Sequence, residues 1–187
     1  MAHGGLREGI GPSTARGSRC SPRQLNASVT SHMPSDREVL AAINAAFGDV
    51  PKPDHFTNYK HCEECAEHDE TLRTHDRDTL LVSHVDNPGW DPLCFTSPHG
   101  KAYYMPALAK FALDPPSSEH GWYGDQLLFH LYADGAGNEF IQYRNAEQRR
   151  AVAALLAHFV ETRASSIEAL TREDELLRAY EFWSNAV

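Results

Sequence analysis

Residues 60–76, with the sequence KHCEECAEHDETLRTHD, contain the densest group of side chains in this chain that could do chemistry. Cys62 and Cys65 are three positions apart, so their thiols would be neighbours on a helix. Thiolate and imidazole together are ligands that suit zinc, and two cysteines at this spacing also occur as redox pairs. The stretch therefore has three interpretations, namely a metal site, a redox dithiol and the polar face of an ordinary helix.

The metal interpretation follows from helical geometry. On a helix, His61, Cys65 and His68 fall within about 80° of one another, and Cys62 lies about 60° from Cys65. This face predicts two or three ligands for a zinc ion, and neighbouring glutamates would add favourable negative potential. The remaining ligands of a tetrahedral site would have to come from elsewhere in the chain. The candidates are His55, His84, Cys94 and His99.

The two other interpretations of this stretch stay open at the sequence level. A reactive thiol needs a lowered pKa, and nearby acids such as Glu63, Glu64 and Glu67 work against it, although Lys60 and the helix start compensate in part for Cys62. In the purely structural interpretation, Cys65 faces the core, the histidines are satisfied polar neighbours and the glutamates are solvated.

An enzyme would use the same residues differently. With zinc held by Cys62, Cys65 and a histidine, Glu64 or Glu67 could act as the general base of a hydrolase-like reaction. Three ligands facing a pocket would favour catalysis, whereas a closed set of four would favour a structural role. His75, Asp76 and Asp78 form a weaker hydrolase candidate that equally fits a solvated turn. The sequence does not decide whether the chain is an enzyme.

Capping signals and apolar spacing predict the helices that would position these residues. Ser35 and Glu38 form a capping box, and Asn145 with Gln148 repeats the arrangement. Ser97 followed by Pro98 predicts a third helix start, although Pro106 should kink that helix or make it restart. Helices are predicted at 36–47, 61–73, 98–113 and 146–163, with a short one within 77–85, one after Trp122 and a last one from about Thr171. Leu177, Tyr180 and Trp183 line one side of the last helix.

These elements predict an all-α fold, a single compact domain of five to seven short helices over residues 35–187. One segment is ambiguous, because Leu127, Phe129 and Leu131 alternate at the period of a strand as well as fitting a helix. A minor β-hairpin near 127–143 is therefore the alternative there.

Composition narrows the function classes. The net charge of −9 disfavours nucleic acid, which requires a basic face, and also disfavours anionic membrane surfaces. No apolar run approaches the roughly 20 residues of a transmembrane helix. Residues 1–34 carry four arginines against one acid and are rich in Gly and Ser, which predicts a disordered N-terminal tail. Met33 lies just before the first capped helix, which is consistent with a protein that starts at Met33 and an assigned start that lies too far upstream.

Few cysteines and no secretory signal favour a reducing cytoplasm over a disulfide scaffold, with three thiols outside the tail. The sequence identifies no partner, although a protein partner fits an accessory role. The function predicted from the residues is a non-enzymatic interaction or accessory module with a metal-stabilised Cys/His segment, and a zinc-dependent enzyme is the alternative. Zinc is the cofactor that both would use.

Three segments in this order also resemble a family of uncharacterised bacterial helical proteins. The segments are HCEECAEH, AYYMPALAKFAL and NAEQRRAVAALLAHFVET, and they match H-C-x-E-C, Y-Y-x-P-A and E-Q-R-x-A-V elements within residues 36–163. The resemblance implies helices at 61–73, 98–113 and 146–163 and draws attention to His61, Cys62, Glu64 and Cys65. It implies no activity and no catalytic residue.

Overall fold

The computed structural model describes residues 33–118 and 121–185, and in this part it contains helices and turns but no strand. The all-α prediction is confirmed. The predicted tail lies outside the described residues except for positions 33 and 34. The helices are α1 (Asp36–Phe47), α2 (Glu63–Arg73), α3 (Pro98–Leu113), α4 (Gly124–Tyr132), α5 (Glu139–Gln142), α6 (Ala146–Thr162), α7 (Ala164–Leu170) and α8 (Glu173–Asn185), with 3₁₀ turns at Val82–His84, Pro92–Cys94 and Gly135–Gly137.

The predicted caps set the starts of three long helices. The backbone N–H of Ser35 donates to Glu38 at 2.8 Å, and the Ser35 hydroxyl accepts from the Glu38 N–H. Asn145 and Gln148 make the same reciprocal pair at the start of α6, while Ser97 caps α3 and Pro98 occupies its first turn. Each arrangement satisfies N–H groups that a helix start leaves without partners.

The core forms where the longest helices pack together. Helix α6 lies against α1 and α8, and α3 lies against α1 and α4. The apolar spacing of α6 predicts a buried stripe at Val152, Leu155, Leu156, Phe159 and Val160, and all but Val160, which is 41% exposed, are fully buried. The indole N–H of Trp183 donates to the carbonyl oxygen of Leu131 at 2.9 Å, which ties α8 to α4.

The hairpin alternative near 127–143 is wrong, because this segment forms α4, a 3₁₀ turn and α5. Leu127, Leu128 and Leu131 are buried, whereas Phe129 is 47% exposed. A strand would have buried Phe129 together with Leu127 and Leu131, so the side chains follow the helical period. The short helices α5 and α7 bring the described part to eight α-helices, which is more than the five to seven predicted.

Three other predictions need correction. Helix α3 continues through Pro106, which is buried with its neighbours, so packing outweighs one missing backbone bond. Only a 3₁₀ turn forms within 77–85, and Leu81 is exposed. The last helix begins at Glu173, because Thr171 has a φ of 53° and lies in the left-handed region, outside the range of an N-cap.

The buried face of α8 is also shifted from the prediction. Leu176, Ala179 and Trp183 are buried, while Leu177 and Tyr180 are largely exposed. Positions 177, 180 and 183 advance by three residues at each step, and such a row drifts around a helix of 3.6 residues per turn. The spacing 176, 179 and 183 follows the helix period better, so it carries the buried contacts.

The C-terminal end of α2 is held by side chains from other segments. The Tyr104 hydroxyl lies 2.6 Å from the carbonyl oxygen of Leu72 and 2.7 Å from that of His75, and it can donate to either. The Lys52 ammonium donates to the carbonyl oxygens of Arg73 and His75 at 2.9 and 2.8 Å. These contacts satisfy carbonyl groups that a helix end leaves without partners.

Across residues 33–118 and 121–185, every helix is too short or too polar to cross a lipid bilayer.

We expect Tyr104→Phe to lower the free energy of unfolding by about 1 kcal/mol, because it removes a buried hydroxyl that binds the end of α2. The matched control is Tyr103→Phe, whose hydroxyl makes only a 3.4 Å contact with Asp76. Urea unfolding followed by circular dichroism measures both. A loss for Tyr103→Phe as large as that for Tyr104→Phe would contradict the assignment.

Candidate functional site

Three of the four predicted metal ligands meet at the start of α2. One ring nitrogen of His61 and the sulfur atoms of Cys62 and Cys65 all lie within 4.8 Å of one another. The two sulfur atoms are 3.1 Å apart, and the Cys65 sulfur is 3.7 Å from Nδ1 of His61. His61 and Cys62 are exposed and Cys65 is buried. The cluster therefore lies at the protein surface, with one donor reaching it from the interior.

The reason these ligands converge differs from the prediction. Helix α2 begins at Glu63, so His61 and Cys62 precede it and do not share its face. Cys62 is the N-cap, with an extended backbone, and its sulfur accepts the N–H of Cys65 at 3.4 Å. A sulfur here takes the place of the Ser, Thr, Asp or Asn oxygen that usually caps a helix. The turn into the helix brings the two thiols together.

His68, the fourth predicted ligand, does not join the cluster. Its side chain is 1% exposed and lies between two aromatic rings, with centroid distances of 4.9 Å to Phe95 and 4.8 Å to Trp90. Its Nε2 is 3.7 Å from a Glu64 oxygen and has no hydrogen-bond partner. One helical turn beyond Cys65, this position faces inward onto aromatic side chains.

The other residues considered for chemistry have other contacts. Asp76 pairs with Lys52 at 2.8 Å, and Nδ1 of His75 donates to the Thr71 carbonyl oxygen at 2.7 Å. None of the four residues predicted as candidates for the remaining zinc ligands belongs to the His61–Cys62–Cys65 group. His55 contacts Asp69, the His84 ring lies 4.0 Å from that of His75, His99 contacts the Pro51 carbonyl, and Cys94 belongs to a second group.

A buried carboxylate fixes the loop that leads into the site. Oδ1 of Asp69 accepts the N–H groups of Phe56 and Thr57 at 2.6 and 3.1 Å, and Oδ2 lies 2.6 Å from Nδ1 of His55. The Thr57 hydroxyl donates to the carbonyl oxygen of Cys65 at 2.7 Å. The loop is thus attached to α2 shortly before the chain reaches the two thiols.

The two thiols differ in acidity. Hydrogen bonds from the thiol and the backbone N–H of Cys65, with a contribution from His61, lower the pKa of Cys62. The neighbouring thiol and burial raise the pKa of Cys65, and the Glu64 carboxylate raises it further. The effect expected from the flanking acids therefore appears at Cys65 but not at Cys62, because the cap position supplies donors to the Cys62 sulfur.

A second group of ligand atoms was not predicted from the sequence. Asp91, Cys94 and His130 offer one oxygen, one sulfur and one nitrogen within 4.8 Å of one another. Of these three residues the sequence points only to Cys94, as a candidate for the remaining zinc ligands beside Cys62 and Cys65. The only local signal is the spacing of Asp91 and Cys94 around the 3₁₀ turn, since His130 comes from α4.

Comparisons of the chain with protein-family models, curated proteins and solved structures find no match. The resemblance to a family of bacterial helical proteins stays a prediction.

We expect Asp69→Ala to lower the free energy of unfolding by about 3 kcal/mol, because it leaves two buried backbone N–H groups without an acceptor. The control is Glu67→Ala, which removes an exposed carboxylate from the same helix and should change stability by less than about 0.5 kcal/mol. Equal effects of the two substitutions in urea unfolding would show that Asp69 does not hold the loop.

We expect Cys62 to be alkylated before Cys65 and Cys94 by iodoacetamide, with a pH midpoint below 9.0, its ordinary value. The thiolate is the reacting form, so a lowered pKa shifts the rate profile to lower pH. Cys94 is the matched control because its side chain is also accessible to solvent, while partial burial of its thiol and the Asp91 charge raise its pKa. Peptide mass spectrometry resolves the sites, and faster reaction at Cys94 would contradict the expected order.

Proposed function

We propose that this chain is a helical accessory protein of the bacterial cytoplasm that binds one zinc ion through His61, Cys62 and Cys65. The observation that carries the proposal is the convergence of two sulfur atoms and one imidazole nitrogen within 4.8 Å. Sulfur and imidazole ligands favour zinc over magnesium or calcium, which prefer oxygen. A reducing compartment would keep both thiols available to the metal.

The distances within the cluster are close to those of a tetrahedral zinc site. Bonds of about 2.3 Å to sulfur and 2.0–2.1 Å to nitrogen place neighbouring ligands about 3.6–3.8 Å apart. The Cys65 sulfur is 3.7 Å from Nδ1 of His61, and the two sulfur atoms are 3.1 Å apart. Zinc binding therefore needs the sulfur atoms to separate by about 0.7 Å. Cys62 is exposed and can move by this amount.

The charges of the cluster also suit a divalent cation. Two thiolates would neutralise the ion, and binding would release their protons. The Cys65 N–H already donates to the Cys62 sulfur at 3.4 Å, which is the type of outer-shell bond that orients a ligand. The carboxylates of Glu63 and Glu64 follow directly in the chain and add negative potential.

The ligand count supports an accessory role. Within the described residues the cluster offers three ligands, whereas closed structural zinc sites have four. His61 and Cys62 are exposed, so a fourth ligand can come from a side chain of another protein or from water. A hydrolase would need the ligands to face a pocket. Clefts of about 270–490 Å³ elsewhere in the described part are lined by other residues, whereas His61 and Cys62 are open to solvent.

Zinc binding is tested in a Cys94→Ser background, which leaves Cys62 and Cys65 as the thiols of the described part. We expect about one zinc per chain by elemental analysis after dialysis, and none after the further substitutions Cys62→Ser and Cys65→Ser. Cys20→Ser is the matched control, since it removes a thiol outside this site and should leave the zinc content unchanged. Less than stoichiometric zinc in the Cys94→Ser protein would refute the proposal.

A second candidate function, thiol–disulfide exchange, is favoured by the short sulfur–sulfur distance and the opposite pKa shifts. The Cys62 thiolate would attack a disulfide of a partner protein, and Cys65 would resolve the mixed disulfide. Cys62 and Cys65 would end as a disulfide, and the partner would gain two electrons and two protons as two thiols. A Cys62 pKa near 9.0 in the alkylation experiment would eliminate this candidate.

A further inference from the structure

A second ligand group lies where two clefts meet, away from the proposed zinc site on α2. Asp91 and Cys94 line a cleft of about 270 Å³, and Cys94 and His130 line a neighbouring cleft of about 370 Å³. Asp91 and His130 are buried, whereas Cys94 is exposed. We propose that Asp91, Cys94 and His130 form a second site for a zinc-like divalent cation, with an open coordination position facing these clefts.

Two of the three ligands are already held in place. Oδ1 of Asp91 accepts the N–H of Leu93 at 2.8 Å, which makes Asp91 the cap of the 3₁₀ turn that carries Cys94. Oδ2 of Asp91 is 2.6 Å from Nε2 of His130. The His130 carbonyl oxygen in turn accepts from the Asn138 side chain at 3.1 Å. The contacts of Leu93 and Asn138 are outer contacts that can remain when a metal binds, whereas the Asp91–His130 bond would be replaced by bonds to the ion.

The donor set matches zinc chemistry. Carboxylate, thiolate and imidazole are all zinc ligands, and three protein ligands plus one open position is the arrangement of zinc sites that accept water or a substrate. The carboxylate and the thiolate together neutralise the ion. A tetrahedral site places nitrogen and oxygen about 3.3 Å apart, so Asp91 and His130 would separate slightly from their 2.6 Å contact and the bridging proton would leave.

A nucleophilic Cys–His–Asp arrangement explains these residues less well. Among the described contacts, His130 bonds to Asp91 through Nε2, and no hydrogen bond joins Cys94 to His130. Without that bond the imidazole has no direct route to the thiol proton. All three side chains nevertheless place a donor atom within 4.8 Å of the other two, close enough to share a metal ion.

The charges lining the larger cleft do not exclude a cation. The Lys101 ammonium lies on this cleft, and so do the carboxylates of Asp134 and Glu139. Two acids therefore offset one lysine, apart from the charge of the ligands themselves. Lys101 lies close enough to Cys94 and Asp91 for their charges to raise its pKa, although burial lowers it overall. Lys101 lowers the pKa of Cys94 but does not outweigh burial and Asp91, which raise it, so the bound metal itself would have to displace the thiol proton.

The test uses the full chain carrying Cys62→Ser and Cys65→Ser, so that its outcome is independent of the zinc proposed at α2. Cobalt(II) titrated into this protein should give a thiolate-to-cobalt charge-transfer band that saturates at one ion per chain, and excess zinc should abolish it. Adding Cys94→Ser should remove the band and weaken cobalt binding by more than about tenfold. Cys94 is exposed, so circular dichroism should show an unchanged fold.

The matched control is Glu139→Gln, which alters an exposed acid on the same cleft outside the ligand group. It should keep the charge-transfer band and the affinity. His130→Gln should weaken cobalt binding, so that more cobalt is needed to reach the full band, because glutamine cannot replace the imidazole nitrogen; circular dichroism checks that this variant is folded. The proposal is overturned if the Cys62→Ser, Cys65→Ser protein gives no charge-transfer band, or if the band survives Cys94→Ser.

Discussion

The buried carboxylate of Asp69 is the contact on which the geometry of the α2 site depends. It is 2% exposed and accepts two backbone N–H groups of a loop that has no regular structure of its own. A buried carboxylate is tolerated only when its oxygen atoms are paired, and here the loop supplies the partners. The loop is therefore fixed by the same helix that bears the second thiol. The Thr57 hydroxyl holds the first turn of α2 at the Cys65 carbonyl oxygen, and Tyr104 and Lys52 hold its C-terminal end, so this short polar helix is anchored at both ends as well as at Asp69.

At the start of α2 a single sulfur atom has both a structural and a chemical role. Cys62 caps the helix, and the N–H that it accepts would otherwise lack a partner. A helix start favours negative charge, so the cap stabilises the thiolate that a metal or a disulfide partner would use. Zinc and a disulfide need the same two sulfur atoms and exclude each other. The pKa difference between Cys62 and Cys65 would be present in the metal-free dithiol, while zinc would remove both protons.

Local signals predicted those parts of the fold that are governed by neighbouring residues. The capping boxes at Ser35 and Asn145 gave correct helix starts because both partners lie within one turn. The closeness of Cys62 and Cys65 was predicted for the same reason, although the predicted helix began at residue 61 and α2 begins at Glu63, with Cys62 as its N-cap. The predictions were wrong where contacts between residues distant in the sequence determine which way a side chain faces. Phe129 is exposed although its spacing suited a strand, and His68 turns toward Trp90 and Phe95, which are distant in the sequence. His130 meets Asp91 only because α4 packs beside a 3₁₀ turn, and no spacing rule connects them.

The two ligand groups differ in what can complete them, and their surroundings explain why. At α2 the donors are two thiols and an imidazole near the surface, so the open position is accessible to the side chain of another protein. At Asp91, Cys94 and His130 the donors lie at the edge of two clefts, where water or a small molecule fits better than a protein segment. The two groups nevertheless share one packing contact, because α2 lies against the 3₁₀ turn Pro92–Cys94 and His68 stacks on Phe95 directly after it. Loss of that contact would separate the turn that carries Cys94 from the helix that carries Cys65, so the stability of this packed unit affects both sites.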